Sequence, residues 1–385
     1  MSKATPLLIA GLLFFSCTHL LRAQGSDCDL ALTHAESEFS AGHFYSIPSI
    51  LGRCPEEGLS KENTVRAYLL LCQAYLILDN PIAADDSYLK LLKVDPEYVA
   101  TEDKDPIDVV YLSKKFTATP IFTPHFRLGF NTSIYRSIYS VSTEPYGLQP
   151  QNTLRLGFQG GAGLDWNIDD NFSLGAEINF ATRGYKRTRT DVFSAGDRSE
   201  VTSSQNWIDA PLYIKYSYDK GNIRPFGYAG VALSYLIAAD NLMVFTDLKT
   251  TGSQLLAEGP SESVTYQRNQ WNKSFVIGGG IKYKWGKDFL YVDLRYMGGL
   301  SNMANESTMY YQDPSRVNSA QLGNPNYYMA GNLTKYRYVT DLFRLDNVSL
   351  SFGFIRPIYD PRKVKKARTK SLSRKIEREE RRKAK

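Results

Sequence analysis

Histidine and cysteine are scarce in this chain of 385 residues, which holds four of each. His19 falls in the apolar start, leaving His34, His43 and His125 to combine with scattered cysteines, and no metal-ligand spacing results. A phosphate-cradling glycine loop and a flavin or nicotinamide fingerprint are also missing. No cofactor is expected. Long apolar runs are absent too: after Leu21 no segment reaches the roughly 18 consecutive apolar residues of a membrane helix. Nothing past the start would therefore stop the chain in an inner membrane.

Charge of one sign is abundant at one place only. Residues 362–385 carry thirteen Lys or Arg against three Glu, a surplus of ten, and Lys3 and Arg22 add two more. The remainder therefore carries about six negative charges, although the whole chain sums to +6. The basic character belongs to the tail, and nucleic acid is not an expected partner.

Lys3, an apolar run from Pro6 to Leu21 and then Arg22-Ala23-Gln24-Gly25 read as a signal peptide over 1–24, cleaved after Ala23 or Gln24. Phe14-Phe15-Ser16-Cys17 offers a rival reading as a lipobox. The bulky Phe15 and the apolar residues after Cys17 speak against it.

Between 25 and 117 the apolar period is about 3.6. Leu30, Ala31, Ala35 and Phe39 mark one helix; Phe44, Ile47, Ile50 and Leu51 a second. A third runs from Ser60 or Lys61 to Leu78 and a fourth from Pro81 to Val94. Tyr68, Leu71, Cys72, Tyr75, Ala84, Tyr88, Leu91 and Pro96 fall at intervals that resemble a tetratricopeptide repeat. The resemblance implies a groove for a peptide or protein partner along Tyr68, Tyr75 and Tyr88, with a plain spacer as the alternative. Cys72 takes the place of a small packed residue. Cys28 and Cys54 lie at the start of the first helix and the end of the second, ends that meet in an antiparallel pair. An exported chain meets an oxidising compartment, so a disulfide between them is expected. After residue 100, Asp105-Pro106, Thr119-Pro120 and Thr123-Pro124 end the helical pattern, and 118–124 reads as a linker.

From 125 to 359 the period becomes two. In Val348-Ser349-Leu350-Ser351-Phe352-Gly353-Phe354 the apolar side chains point one way and the small polar ones the other. Strands are expected at 125–136, 153–167, 172–184, 206–219, 224–237, 270–285, 289–298 and 346–358. Their connections alternate short (168–171, 220–223, 286–288) and long (137–152, 185–205, 238–269, 299–345). Short turns on one side, long loops on the other and an even strand count describe a small outer-membrane barrel. An aromatic content of 13%, with 26 Tyr, suits its girdles. Phe126, Leu128, Phe130 and their counterparts would face outer-membrane lipid. Arg127, Glu177, Asp209, Lys215, Asp293 and Arg295 would fill the lumen, which at eight strands has no room for an open pore. The long loops lack His, so a rim-based hydrolytic set is not expected and the chain is not read as an enzyme. They are rich in Tyr, Asn, Ser and Gly, as contact surfaces are.

Ile208-Asp209-Ala210-Pro211-Leu212-Tyr213-Ile214-Lys215-Tyr216, Arg224-Pro225-Phe226-Gly227-Tyr228-Ala229-Gly230 and Gly298-Gly299-Leu300-Ser301-Asn302 resemble the PorT-like outer-membrane barrels of Bacteroidota. That resemblance covers about 230 residues. It implies an outer-membrane location, and for some members a part in protein secretion, notably the type IX system. The helical domain and basic tail depart from the simplest members.

The expected architecture is thus α+β and multidomain: a small periplasmic helical domain, an eight-stranded antiparallel transmembrane β-barrel, and a basic tail over 360–385. Lys363, Lys365, Lys366, Arg368, Arg381 and Arg382 of the tail would meet an anionic periplasmic surface. Two functions follow from different classes. One is an anchor and scaffold that holds other envelope proteins through the helical domain. The other is a surface receptor, adhesin or narrow channel working through the long loops.

Overall fold

The computed structural model describes residues 25–140, 150–192, 196–248, 254–306 and 336–364. The expected signal peptide and the tail cations Lys365, Lys366, Arg368, Arg381 and Arg382 lie outside them. The chain divides into two compact units, Met1–Thr119 with Tyr359–Lys385, and Pro120–Ile358.

The first unit is helical: α1 (Gly25–Ser40), α2 (Ile47–Leu51), α3 (Cys54–Glu57), α4 (Lys61–Ile77), α5 (Pro81–Val94) and α6 (Ile107–Ser113). The long pair is signposted locally. The Ser60 hydroxyl accepts from the Asn63 N–H and the Asn80 side chain from the Ala83 N–H, with Pro81 in the first turn of α5. Leu32, Ala35, Ile47, Leu51, Ala67, Leu70 and Ala74 form one core, and Cys28 and Cys54 are disulfide-bonded beside it. A second core joins α4 and α5 to Val109, Val110 and Leu112 of α6.

That second core corrects two expectations. The stretch after residue 100 is not free of helix, because Pro106 precedes α6 instead of ending a helix. Tyr68 and Tyr88 do not line an open groove, being 6% and 2% exposed; only Tyr75 is half-buried. The space beside them is filled by α6 and by Phe116, whose ring centre lies 5.3 Å from that of Tyr88. Burial pushes the Tyr88 hydroxyl up to about 12. The unit closes with a two-stranded sheet in which β1 (Phe116–Thr117) pairs with the chain's last strand, β13 (Arg362–Lys363). Lys363 also pairs with Asp85, and the Tyr359 hydroxyl donates to Glu97.

Cys72 is fully buried against Ala84, and burial, aided by the Asp85 charge, pushes its thiol well above the usual range. The thiolate is the reactive form. Cys72 is therefore expected to resist maleimide at pH 7 in the folded chain and to label fully in denaturant, as mass spectrometry would record. Labelling at equal rates in both states would disprove the packing.

In the second unit, eight strands pair antiparallel in a ring: β2 (Phe122–Tyr139), β4 (Leu156–Asn167), β5 (Phe172–Thr190), β6 (Arg198–Ser217), β7 (Ile223–Leu248), β10 (Trp271–Trp285), β11 (Asp288–Gly299) and β12 (Leu342–Ile355). Each pairs with the next, and β12 pairs back onto β2. Short strands β3 (Gln151–Leu154), β8 (Gln254–Glu258) and β9 (Glu262–Ser263) attach to β5 and β7. Gly221 and Gly286 carry the tight turns, with φ of +81° and +68° that a side chain would oppose. The outward face is apolar: Phe126, Leu128, Phe158, Ile178, Ile214 and Leu294 are each more than half exposed. Such a continuous apolar surface asks for a non-aqueous surrounding.

Three boundaries differ from expectation. β2 starts at Phe122, inside the stretch read as linker, because Asn167 ties to the Ile121 and Pro120 carbonyls and to Thr123. The strand expected over 153–167 is interrupted at Arg155, and β3 pairs only with β5. The connections read as long loops at 185–205 and 238–269 are largely strand. β5 and β6 stay in register from Ala181–Trp207 to Thr190–Arg198, and β7 runs 26 residues. A tilted membrane strand needs about 9–11, so more than half of β7 is available beyond an apolar band.

Candidate functional site

Strand parity fixes what points inward. With Phe126, Leu128 and Phe130 outside, His125 and Arg127 of β2 face the interior, joined there by Asp165 of β4, Glu177 of β5, Asp209, Tyr213 and Lys215 of β6, and Asp293 and Arg295 of β11. Space for these side chains comes from glycine on the neighbouring strand. Arg127 stands opposite Gly161 and Gly353, Glu177 opposite Gly163, Arg295 opposite Gly278, and Asp293 opposite Gly280. A Cβ on Gly163 would meet the His125 ring at 2.4 Å, and one on Gly278 would meet the Tyr228 hydroxyl at 2.3 Å.

Glu177 is the hub. It accepts from both terminal nitrogens of Arg295 at 2.8 Å, a planar two-point match, and from Arg127 at 3.2 Å. The Tyr213 hydroxyl donates to it at 2.7 Å and the Asn179 amide at 2.8 Å. Arg127 also reaches Asp293 at 2.7 Å, and the Tyr228 hydroxyl accepts from Arg295 Nε at 2.7 Å and donates to Asp293 at 2.8 Å. Lys215 holds Asp165 at 2.8 Å. His125 lies between the carboxylates, 3.3 Å from Glu177 and 3.8 Å from Asp165. Three carboxylates (Asp165, Glu177, Asp293) thus meet three cations (Arg127, Lys215, Arg295), with the His125 ring among them.

Of the six lumen charges read from sequence, Arg127, Glu177, Asp293 and Arg295 form one connected group, which Lys215 joins through Asp165 and Tyr213. Asp209 belongs elsewhere. It pairs with Arg183 at 2.6 Å and accepts from Ser234 at 2.6 Å. Sequence reasoning passes over His125, Tyr213 and Tyr228. Their inward parity was readable, but Tyr was assigned to outer girdles, whereas Tyr213, Tyr228 and Tyr291 are buried inside.

Chemically this is a packed ionic strut. Each carboxylate already accepts from a cation, so none stands as an unpaired base, and each member of the group is nearly inaccessible to solvent. Among the described residues no group of three or more His, Cys, Asp or Glu is arranged to hold a metal ion. No helix among them is long and apolar enough to cross a membrane.

The sequence profile of the family described as "Outer membrane protein beta-barrel domain" matches residues 122–305, from the first residue of β2 to just past β11. That stretch is similar to outer-membrane β-barrel domains. The match spans a little under half of the chain and leaves out β12 and the helical unit. Solved structures similar to the chain include the outer membrane protein OprG from Pseudomonas aeruginosa, with 11% identity over 64% of this chain and 99% of OprG at a TM-score of 0.32. Ail, the attachment invasion locus protein of Yersinia pestis, gives 9%, 61%, 98% and 0.25. The outer membrane protease OmpT from Escherichia coli gives 7%, 63%, 98% and 0.28. Similarity at this level assigns no activity, ligand or partner to this chain. No curated protein matches it.

Proposed function

We propose that this protein is a non-enzymatic outer-membrane anchor. Its ring of strands embeds in lipid, and its helical unit and basic tail hold other envelope proteins on the periplasmic side. In this reading it is an accessory or scaffold component of a secretion or assembly complex of the type IX kind. One observation carries the proposal: the helical unit is built from both ends of the chain, with β1 paired to β13 and Lys363 to Asp85. An even number of antiparallel strands returns the chain to the end of the ring where it entered. Residues 359–364 are then free to complete the unit that residues 25–119 begin, and the remaining tail cations follow directly from it. The packed, ion-paired interior around Glu177 supports an anchor over a conduit. The likeness of Ile208–Tyr216 to the PorT-like strand, and of the α4–α5 pair to a tetratricopeptide repeat, supports the secretion-complex reading.

Crosslinking and affinity capture from native outer membranes test the proposal. A tagged full-length chain should recover other envelope proteins. A chain lacking residues 27–117 should lose them while its barrel still inserts and shows heat-modifiable migration on electrophoresis. Retention of the same partners by the truncated chain would sink the scaffold reading. The alternative of a receptor, adhesin or narrow channel gains support from the paired β5–β8 extension. It predicts that deleting 307–335 produces the defect instead.

A further inference from the structure

At the end of the ring opposite the entry of β2, buried arginines of the described residues lack a full set of hydrogen-bond partners. Arg187 and Arg189, two residues apart on β5, both pair with Asp341. Arg268 is 2% exposed, and none of its three guanidinium nitrogens has a hydrogen-bond partner. Arg187 Nε and Nη1 and the Tyr135 hydroxyl are likewise buried without one. These orphan groups cluster on one aromatic core. The Tyr135 and Phe343 rings stack at 4.3 Å; Arg187 lies 4.4 Å over Tyr135, and Arg268 lies 4.9 Å over Phe343. Both guanidiniums are within electrostatic reach of the Tyr185 hydroxyl.

Arg268 has not simply swung inward for want of a better place. Its backbone bridges to Ala304, and the Met303 N–H next to that bridge donates to the Phe343 carbonyl at 2.8 Å. The backbone that carries the side chain is therefore fixed beside Phe343. An aromatic face offsets only a small part of the cost of dehydrating a guanidinium. Water can satisfy N–H groups, but it leaves the charge uncompensated. Arg268 also lines a recess of about 440 Å³, whose other walls include Thr265, Asn269, Gln270 and Asn305. The recess offers a path for a solute, and its lining mixes these polar side chains with Tyr266 and Trp271.

We propose that Arg268 anchors an oxyanion-binding site that takes a small phosphate- or carboxylate-class anion through this recess. Planar guanidinium forks match both anions in two-point geometry.

The test is calorimetric titration of the full-length chain in neutral detergent micelles at constant ionic strength. Inorganic phosphate is used in one arm and acetate in the other, against a chloride background. Saturable one-to-one binding is expected in at least one arm, weakened about tenfold or more in Arg268→Gln and unchanged in Lys273→Gln, an exposed neighbour. A response to phosphate alone assigns tetrahedral anions; a response to acetate alone assigns carboxylates. If Arg268→Gln fails to fold, the parent chain still decides: its thermal midpoint should rise with the bound anion and not with chloride. Absence of saturable binding in both arms, or equal binding by Arg268→Gln, would overturn the site.

Discussion

Replacing Glu177 by glutamine is expected to destabilise the barrel by about 3–5 kcal/mol, the usual result of removing one partner from a buried ion pair. Glutamine keeps the shape and one acceptor, so no cavity opens. What disappears is the charge on which Arg295 closes at two points and Arg127 at a third. Arg127 retains Asp293 at 2.7 Å, but Arg295 is left with Asp293 at 3.9 Å and the Tyr228 hydroxyl. Its guanidinium is then buried beside an amide that presents N–H groups to it. Urea unfolding of the detergent-solubilised chain, followed by tryptophan fluorescence, measures the loss. A Glu177→Leu, Arg295→Met double variant should recover part of it, since exchanging both partners for apolar groups removes the stranded charge. A Glu177→Gln midpoint within about 0.5 kcal/mol of the parent, the size of an ordinary surface change, would mean that the hub contributes nothing.

The hub itself was half legible. Period-two alternation is a local property, and Arg127, Glu177, Asp293 and Arg295 could each be placed inside from their immediate neighbours. Which of them meet is a long-range matter. Arg127 and Asp293 are 166 residues apart, and their contact depends on the register around the whole ring. The strand extensions were invisible for a different reason. Beyond the apolar band the outward positions become Lys186, Glu200, Thr202 and Ser204, while the inward ones are Arg187, Arg189, Ser199 and Ser203. With both faces polar, the contrast that marks a strand vanishes. Arg187 of this stretch shares the aromatic core with Arg268, so the same polar composition hides both the strands and the under-partnered arginines. The helix α6 was missed through one residue. Pro106 reads as a stop, although proline is equally at home at a helix start. Missing α6 left an apparent groove along Tyr68 and Tyr88 that the chain in fact fills with its own Val109, Leu112 and Phe116.

Removing the Cys28–Cys54 bond by Cys54→Ser is expected to destabilise the helical unit by about 3–4 kcal/mol, from the loop-closure entropy of a 26-residue separation. The local sequence gives this region little else to rely on. Helices α2 and α3 have five and four residues, far below the length at which a helix holds itself. Neither has a side-chain cap at its start: Ser46 and Arg53 make no such hydrogen bond. Helix α2 is held by Ile47 and Leu51 in the core, and α3 by the buried Pro55 and the covalent tie to α1. Gly58 leaves room for that tie, since a Cβ there would meet Cys28 Sγ at 2.4 Å. Scanning calorimetry of the full-length chain should show the helical transition lowered on the order of 10–20 °C in the variant. The barrel transition should stay in place, because the bond lies wholly within one unit. A reductant should reproduce the shift in the parent and leave the variant unchanged. If non-reducing mass spectrometry finds both thiols free in protein taken from the envelope, the tie is not made there. Helices α2 and α3 would then be held by their core contacts and the Lys90–Glu56 pair alone among the described interactions.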